Sequence, residues 1–179
     1  MLMSFRDEPL RRAHEYAKHN GLVVGKELGF GVHGIVFVMK SQSEKGRPAS
    51  KCAVKAHRRE VEYFRERDVY LRLQENCIEK ICDLHVPQLI DYNDNLMILE
   101  MTIVKRPFVL DFGGAYLDHA PDFSEEVMAD WRAEKVEQFG KRWPEAERIL
   151  RVLETYGIFV VDVHPNNIAF TDLPSGAKS

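Results

Sequence analysis

The chain has 179 residues, 45% of them hydrophobic, with 25 Lys and Arg against 28 Asp and Glu and a formal charge of −3. That composition excludes a disordered chain, and a pI near 6.2 excludes a mainly nucleic-acid-binding surface. No apolar run reaches the roughly 20 residues of a membrane helix, and charges interrupt the first twenty residues, where a signal peptide would carry its apolar core. The expectation is one cytoplasmic domain, or two small lobes sharing a cleft, with neither nucleic acid nor membrane as partner. Cys52, Cys77 and Cys82 are an odd set without zinc-ligand spacing, despite His85 nearby, and read as reduced thiols.

In chain order, the first twenty residues predict an amphipathic surface helix, with Leu10, Ala13 and Tyr16 at helical spacing. Leu22–Met39 is a β-rich stretch, and the polar segment from Lys40 to Lys51 reads as a flexible loop. A strand is expected at Cys52–Ala56 and a helix from about Arg58 to Asn76. Two further strands, Gln88–Tyr92 and Leu96–Thr102, are joined by Asn93-Asp94-Asn95. Phe108–Leu110 reads as a short strand ended by Gly113-Gly114. Ser124 caps a helix to Phe139, and a second helix runs from Trp143-Pro144 to Tyr156. The apolar run Ile158–Val163 precedes a polar loop, and Ile168–Thr171 reads as a last strand. Strands with one internal helix, followed by helices, predict an α+β fold with two lobes.

Four motifs in this order carry chemistry. Gly29, Gly31 and Gly34 form G-x-G-x-x-G ahead of β-branched residues, so a strand rather than a helix follows. Glycines there let a backbone approach a phosphate, although an ordinary glycine-rich hairpin has the same pattern. Ala53-Val54-Lys55 places an ammonium on a strand, either facing phosphates or exposed at an edge. Glu66 shares a helix face with Tyr63, Tyr70 and Leu73, where an acid is costly unless it finds a cation. Lys55 is its natural partner, Glu62 the alternative acid, and a solvated Glu66 the plain reading. Asp162-Val163-His164-Pro165-Asn166-Asn167 supplies an Asp and, five positions on, an Asn; a polar turn has the same composition.

Together these motifs resemble the protein-kinase-like superfamily, which spans protein kinases and small-molecule kinases of aminoglycosides and choline. D-V-H-P-N-N looks closer to the aminoglycoside type. The resemblance covers roughly residues 22–172. It implies a two-lobe fold, with an N-lobe of about 1–102 and a shortened C-lobe of about 103–179, binding ATP and Mg²⁺. By that resemblance Gly29, Gly31 and Gly34 cover the phosphates and Lys55, held by Glu66, contacts them. Glu100 and Met101 offer backbone hydrogen bonds to adenine. Asp162 orients a hydroxyl acceptor, from a protein or a small molecule, and Asn167 holds the metal.

The chain departs from the pattern in two places. Val160-Val161 stands where His-Arg would precede Asp162, and no D-F-G follows the catalytic loop. The only D-F-G, Asp111-Phe112-Gly113, comes before that loop and reads as a turn leading into the helical half. Asp111 and Asp172 are the acids available to complete a metal site. A pseudokinase, binding nucleotide or acting as a scaffold without catalysis, is the alternative function. A piece of a longer kinase is a third reading. A protein partner or a second copy covering the shortened lobe is also expected.

Overall fold

The computed structural model describes residues 5–41 and 50–171. Residues 42–49, most of the expected loop, and the expected turn from Asp172 onward lie outside the described residues. The fold is α+β. Helix α1 (Asp7–His19) leads into β1 (Leu22–Phe30), β2 (Gly34–Ser41) and β3 (Lys51–His57). Helix α2 (Glu60–Glu75) is followed by β4 (Lys80–Ile81), β5 (Leu84–His85), β6 (Leu89–Asn93) and β7 (Ile98–Met101). Then come β8 (Phe108–Val109), β9 (Ala115–Leu117), α3 (Glu125–Phe139), α4 (Trp143–Glu154), β10 (Ile158–Val160) and β11 (Ile168–Ala169).

An antiparallel sheet of order β1-β2-β3-β7-β6 carries the N-terminal half. Successive side chains of β3 alternate between its faces. Cys52, Val54 and Ala56 join Ala13, Tyr16, Ala17, Ile35, Phe37, Met39 and Ile98 in a core beneath α1. Ala53 faces the other way, into a larger core with Tyr63, Val69, Tyr70 and Leu73 of α2. That core continues through Phe112, Ala115, Trp143, Ile149, Leu153 and Ile158, so one hydrophobic cluster ties α2 to the C-terminal half. Each fully buried Leu or Ile in it contributes about 2 kcal/mol. The face that α1 buries is Pro9, Arg12, Ala13, Tyr16 and Ala17; Leu10, expected on it, is exposed.

Local chemistry explains most boundaries. The Ser124 hydroxyl accepts from Val127 N at 3.3 Å and caps α3. Pro144 occupies the first turn of α4, and Gly157, at φ 72°, lets the chain turn out of it. The β6–β7 turn is wider than expected because Asn93 Oδ1 accepts from Leu96 N at 2.9 Å. Residues 103–123 do hold structure. Strand β8 pairs antiparallel with β11 (Val109↔Ile168) and parallel with β5, and β9 pairs antiparallel with β10 (Ala115↔Val160). These short non-local pairings leave no periodic signature in sequence.

Candidate functional site

Lys55 and His57 are two apart on β3, so both project toward α2. Lys55 Nζ donates to Glu66 Oε2 at 2.6 Å and to Asp111 Oδ1 at 2.8 Å. The His57 ring bonds the same Glu66 oxygen through Nε2 at 2.7 Å. Glu66 is 1% exposed and His57 is fully buried. Burial opposes charge on both Lys55 and Glu66, but each is outweighed by its partners. Glu66 and Asp111 hold the Lys55 ammonium above its ordinary value, and Lys55 with His57 holds the Glu66 carboxyl below its own. His57 goes the other way: burial lowers it despite Glu66, so it is a neutral ring donating to a carboxylate. The alternative acid, Glu62, pairs instead with Arg59.

Asp111 reaches Lys55 through strand pairing. Val109 lies opposite Ile168, and Leu110 N donates to Asn167 O at 2.9 Å. The chain turns at Asp111, whose φ of 67° is left-handed and tolerated by Asp. Phe112 is buried edge-on against Tyr70, their ring centroids 5.4 Å apart. The following β9 then pairs with β10. Segments 111–114 and 162–167 are therefore held side by side between the same two ladders.

Glycines make that approach close. A Cβ on Gly114 would sit 2.7 Å from Asp162 Cβ, and one on Gly113 would sit 2.9 Å from His33 Cγ. His33, at the tip of the glycine run, bonds Asp162 Oδ2 through Nε2 at 2.9 Å. That hydrogen bond raises the His33 pKa and lowers that of Asp162. Asn167 is buried, and its amide Nδ2 faces the Asp162 carbonyl at 3.4 Å. Trp131 Nε1 of α3 donates to Val161 O at 2.8 Å and anchors the entry to this loop.

The three glycines of the run differ. Gly31 N donates to Gly34 O at 3.0 Å and closes the hairpin tip. A Cβ at Gly34 would strike the Ala56 carbonyl across the ladder, whereas a Cβ at Gly29 or Gly31 would meet nothing within 4 Å among the described residues. Glu100 and Met101 lie within β7, in register with Val54 and Ala53. The Glu100 carboxylate points to the α1 face, where Tyr16 OH lies 2.7 Å from its Oε2 and 2.9 Å from Asp91 Oδ2. Its side chain is thus on the opposite sheet face from Lys55. Asp172 is outside the described residues.

The structure brings together Lys55, Glu66, Asp111, Asp162 and Asn167, with His33 across from them. His57, His33 and the Gly113-Gly114 pair carry roles the motifs did not assign. His57 has the two-residue strand spacing from Lys55 as its signal, and His33 lies inside the glycine run. Among the described residues no cluster of three or more His, Cys, Asp or Glu marks a metal site. The available donors are oxygens: Asp111 Oδ2, left over by Lys55, and Asn167 Oδ1, left over when the amide faces Asp162. Two such donors suit a hard cation that keeps waters and phosphate oxygens in its shell. Comparison of the chain with protein-family models and with curated proteins finds no match.

Proposed function

We propose that this chain is a kinase-like phosphotransferase, built as two lobes around a cleft, that moves the terminal phosphoryl group of ATP to a hydroxyl acceptor. The observation that carries the reading is Asp111 on Lys55, because an acid that precedes the catalytic loop in sequence is supplied to the lysine by the β8–β11 pairing. Lys55, fixed by Glu66, binds phosphate oxygens, and the hairpin with Gly29, Gly31 and Gly34 covers them. Asp111 and Asn167 would hold Mg²⁺, which supplies charge neutralisation on the phosphates. Asp162 orients the acceptor hydroxyl and takes its proton as the oxygen attacks the terminal phosphorus. The P–O bond to the nucleoside diphosphate breaks and its electrons leave with the diphosphate. His33 must leave Asp162 for the acceptor to reach it.

The test is ATP binding by calorimetry with and without Mg²⁺, followed by an ATP-consumption assay. Mg²⁺-dependent binding with turnover supports the enzyme. Binding that ignores Mg²⁺, without turnover, supports a pseudokinase instead. The His33–Asp162 contact favours that second reading, since it occupies the carboxylate that an acceptor needs.

A further inference from the structure

Between the first turn of α1 and the tip of the β1–β2 hairpin is a groove of about 540 Å³, lined by Phe5, Glu8, Arg12, Val32, Arg58 and Arg59. Three arginines line it, and its carboxylate is already engaged: Arg11 takes both Glu8 oxygens, at 2.7 and 3.0 Å. Arg59 is neutralised by Glu62. Arg12 is 3% exposed. Its Nη1 donates to Leu96 O at 3.0 Å and its Nη2 to His57 O, while its Nε, with no hydrogen bond among the described residues, lies 3.6 Å from Glu8 Oε1 in an ion pair. Burial lowers its pKa, although the cation persists.

Arg58 is the more telling residue. Its guanidinium lies 4.5 Å from the Phe30 ring centroid and 6.0 Å from that of Phe5. Among the described residues Nη1 reaches only the Val32 carbonyl, at 3.5 Å, and both Nε and Nη2 are buried with no hydrogen-bond partner. Those two N–H groups form one edge of the guanidinium and point the same way. They are the pair that engages two oxygens of one oxyanion in parallel. Leaving both unpaired, in a desolvated setting with a second buried cation nearby, is costly. An oxyanion in the groove satisfies the edge and balances the charge.

We propose that this groove binds a phosphate group, with the Nε–Nη2 edge of Arg58 as its anchor and Arg12 as the second cation. Arg11 and Arg12 share the one Glu8 carboxylate, and Arg58 pairs with no acid among the described residues, so cations outnumber acids at the groove, which favours a phosphate dianion over a single carboxylate. The site is separate from Lys55, and the proposal does not depend on the phosphotransferase reading. Arg58 N donates to His33 O at 3.0 Å, so the residue that holds the anion also holds the hairpin tip.

The test is calorimetric titration of the whole protein with inorganic phosphate at constant ionic strength. One saturable site is expected. Arg58→Gln should weaken it at least tenfold, and Arg58→Lys nearly as much, because an ammonium keeps the charge but lacks the fork. Circular dichroism of Arg58→Lys checks that the fold is retained. Arg148→Gln, which removes an exposed arginine of α4 away from both sites, should bind phosphate as the wild type does. Phenyl phosphate serves as a second probe: tighter binding than phosphate assigns the site to a phosphomonoester whose ring rests on Phe5 and Val32, and equal or weaker binding assigns it to free phosphate. Absence of saturable binding overturns the proposal. Retention of wild-type binding in Arg58→Gln also overturns it, whatever the ATP assays show.

Discussion

Asp111 Oδ1 lies 2.8 Å from Lys55 Nζ although 56 positions separate the two residues. The acid belongs to a D-F-G run that precedes the Asp162 loop, in the reverse of the order the motifs imply. An antiparallel ladder is indifferent to which strand comes first in the chain. With β8 paired to β11, the strand before Asp111 lies beside the strand after Asn167. A short hairpin between consecutive strands would create the same neighbourhood.

On the proposed reading, Asp111→Ala and Asn167→Ala each remove a hard oxygen donor. Each should lower ATP turnover at least about a hundredfold, the scale for losing a group that meets charge developing in the transition state. ATP affinity should also lose its Mg²⁺ dependence. Steady-state turnover with a Mg²⁺ titration checks both effects. A fully active Asp111→Ala protein would assign the metal role to another acid.

The Lys55–Glu66 pair is buried at both ends. Lys55→Met strands the Glu66 carboxylate with only the neutral His57 as donor, at an expected cost of about 3–5 kcal/mol. Glu66→Gln should cost less, since Lys55 keeps Asp111. The double variant should be more stable than the sum of the two losses predicts, by about 1–3 kcal/mol. Urea denaturation of the four proteins measures that coupling, and strict additivity would contradict the ion pair.

Protonation sets the strength of the His33–Asp162 contact. His33 is raised from its ordinary 6.5, so its contribution is complete below that value and is lost as pH rises through the higher folded pKa. Asp162 is lowered from its ordinary 3.8, so its contribution is present above that value and is lost as pH falls through the lower folded pKa. The contact is therefore strongest between 3.8 and 6.5. The stability difference between wild type and His33→Gln should peak in that window and shrink on both sides. A difference that stays flat with pH would show that the contact does not form in solution.

The glycines separate by what a Cβ would meet. Gly34→Ala drives a methyl into the Ala56 carbonyl and should destabilise by about 1–3 kcal/mol. At Gly31 a Cβ meets nothing within 4 Å among the described residues, so the fold of Gly31→Val should survive while ATP affinity falls as the side chain blocks the phosphates. Gly114→Ala should displace Asp162 and depress turnover more than ATP binding. Thermal melts and nucleotide titrations of the three variants separate these outcomes. Unchanged ATP affinity in a folded Gly31→Val protein would count against a phosphate-covering hairpin.

Local chemistry in the sequence determined the regular elements. Apolar spacing marked α1, α2 and α4, Ser124 marked the start of α3, and β-branched runs marked β2 and β3. The Lys55–Glu66 pair was also legible, because an acid on an apolar helix face needs a cation and Lys55 stands on the strand that precedes the helix. Tertiary structure alone decided the rest. The short strands β8 and β11 were legible as Phe108–Leu110 and Ile168–Thr171, but β9 was not, and no window of sequence reveals that β8 pairs with β11 or β9 with β10. Asp111 read as part of a turn until β11 brought the chain beside Asn167. The contacts of His33 with Asp162, and of Gly114 with the same residue, depend on a hairpin tip and two ladders converging. Periodicity reports which face of an element is buried, whereas a site depends on which buried faces meet, and that is set by packing across the whole chain.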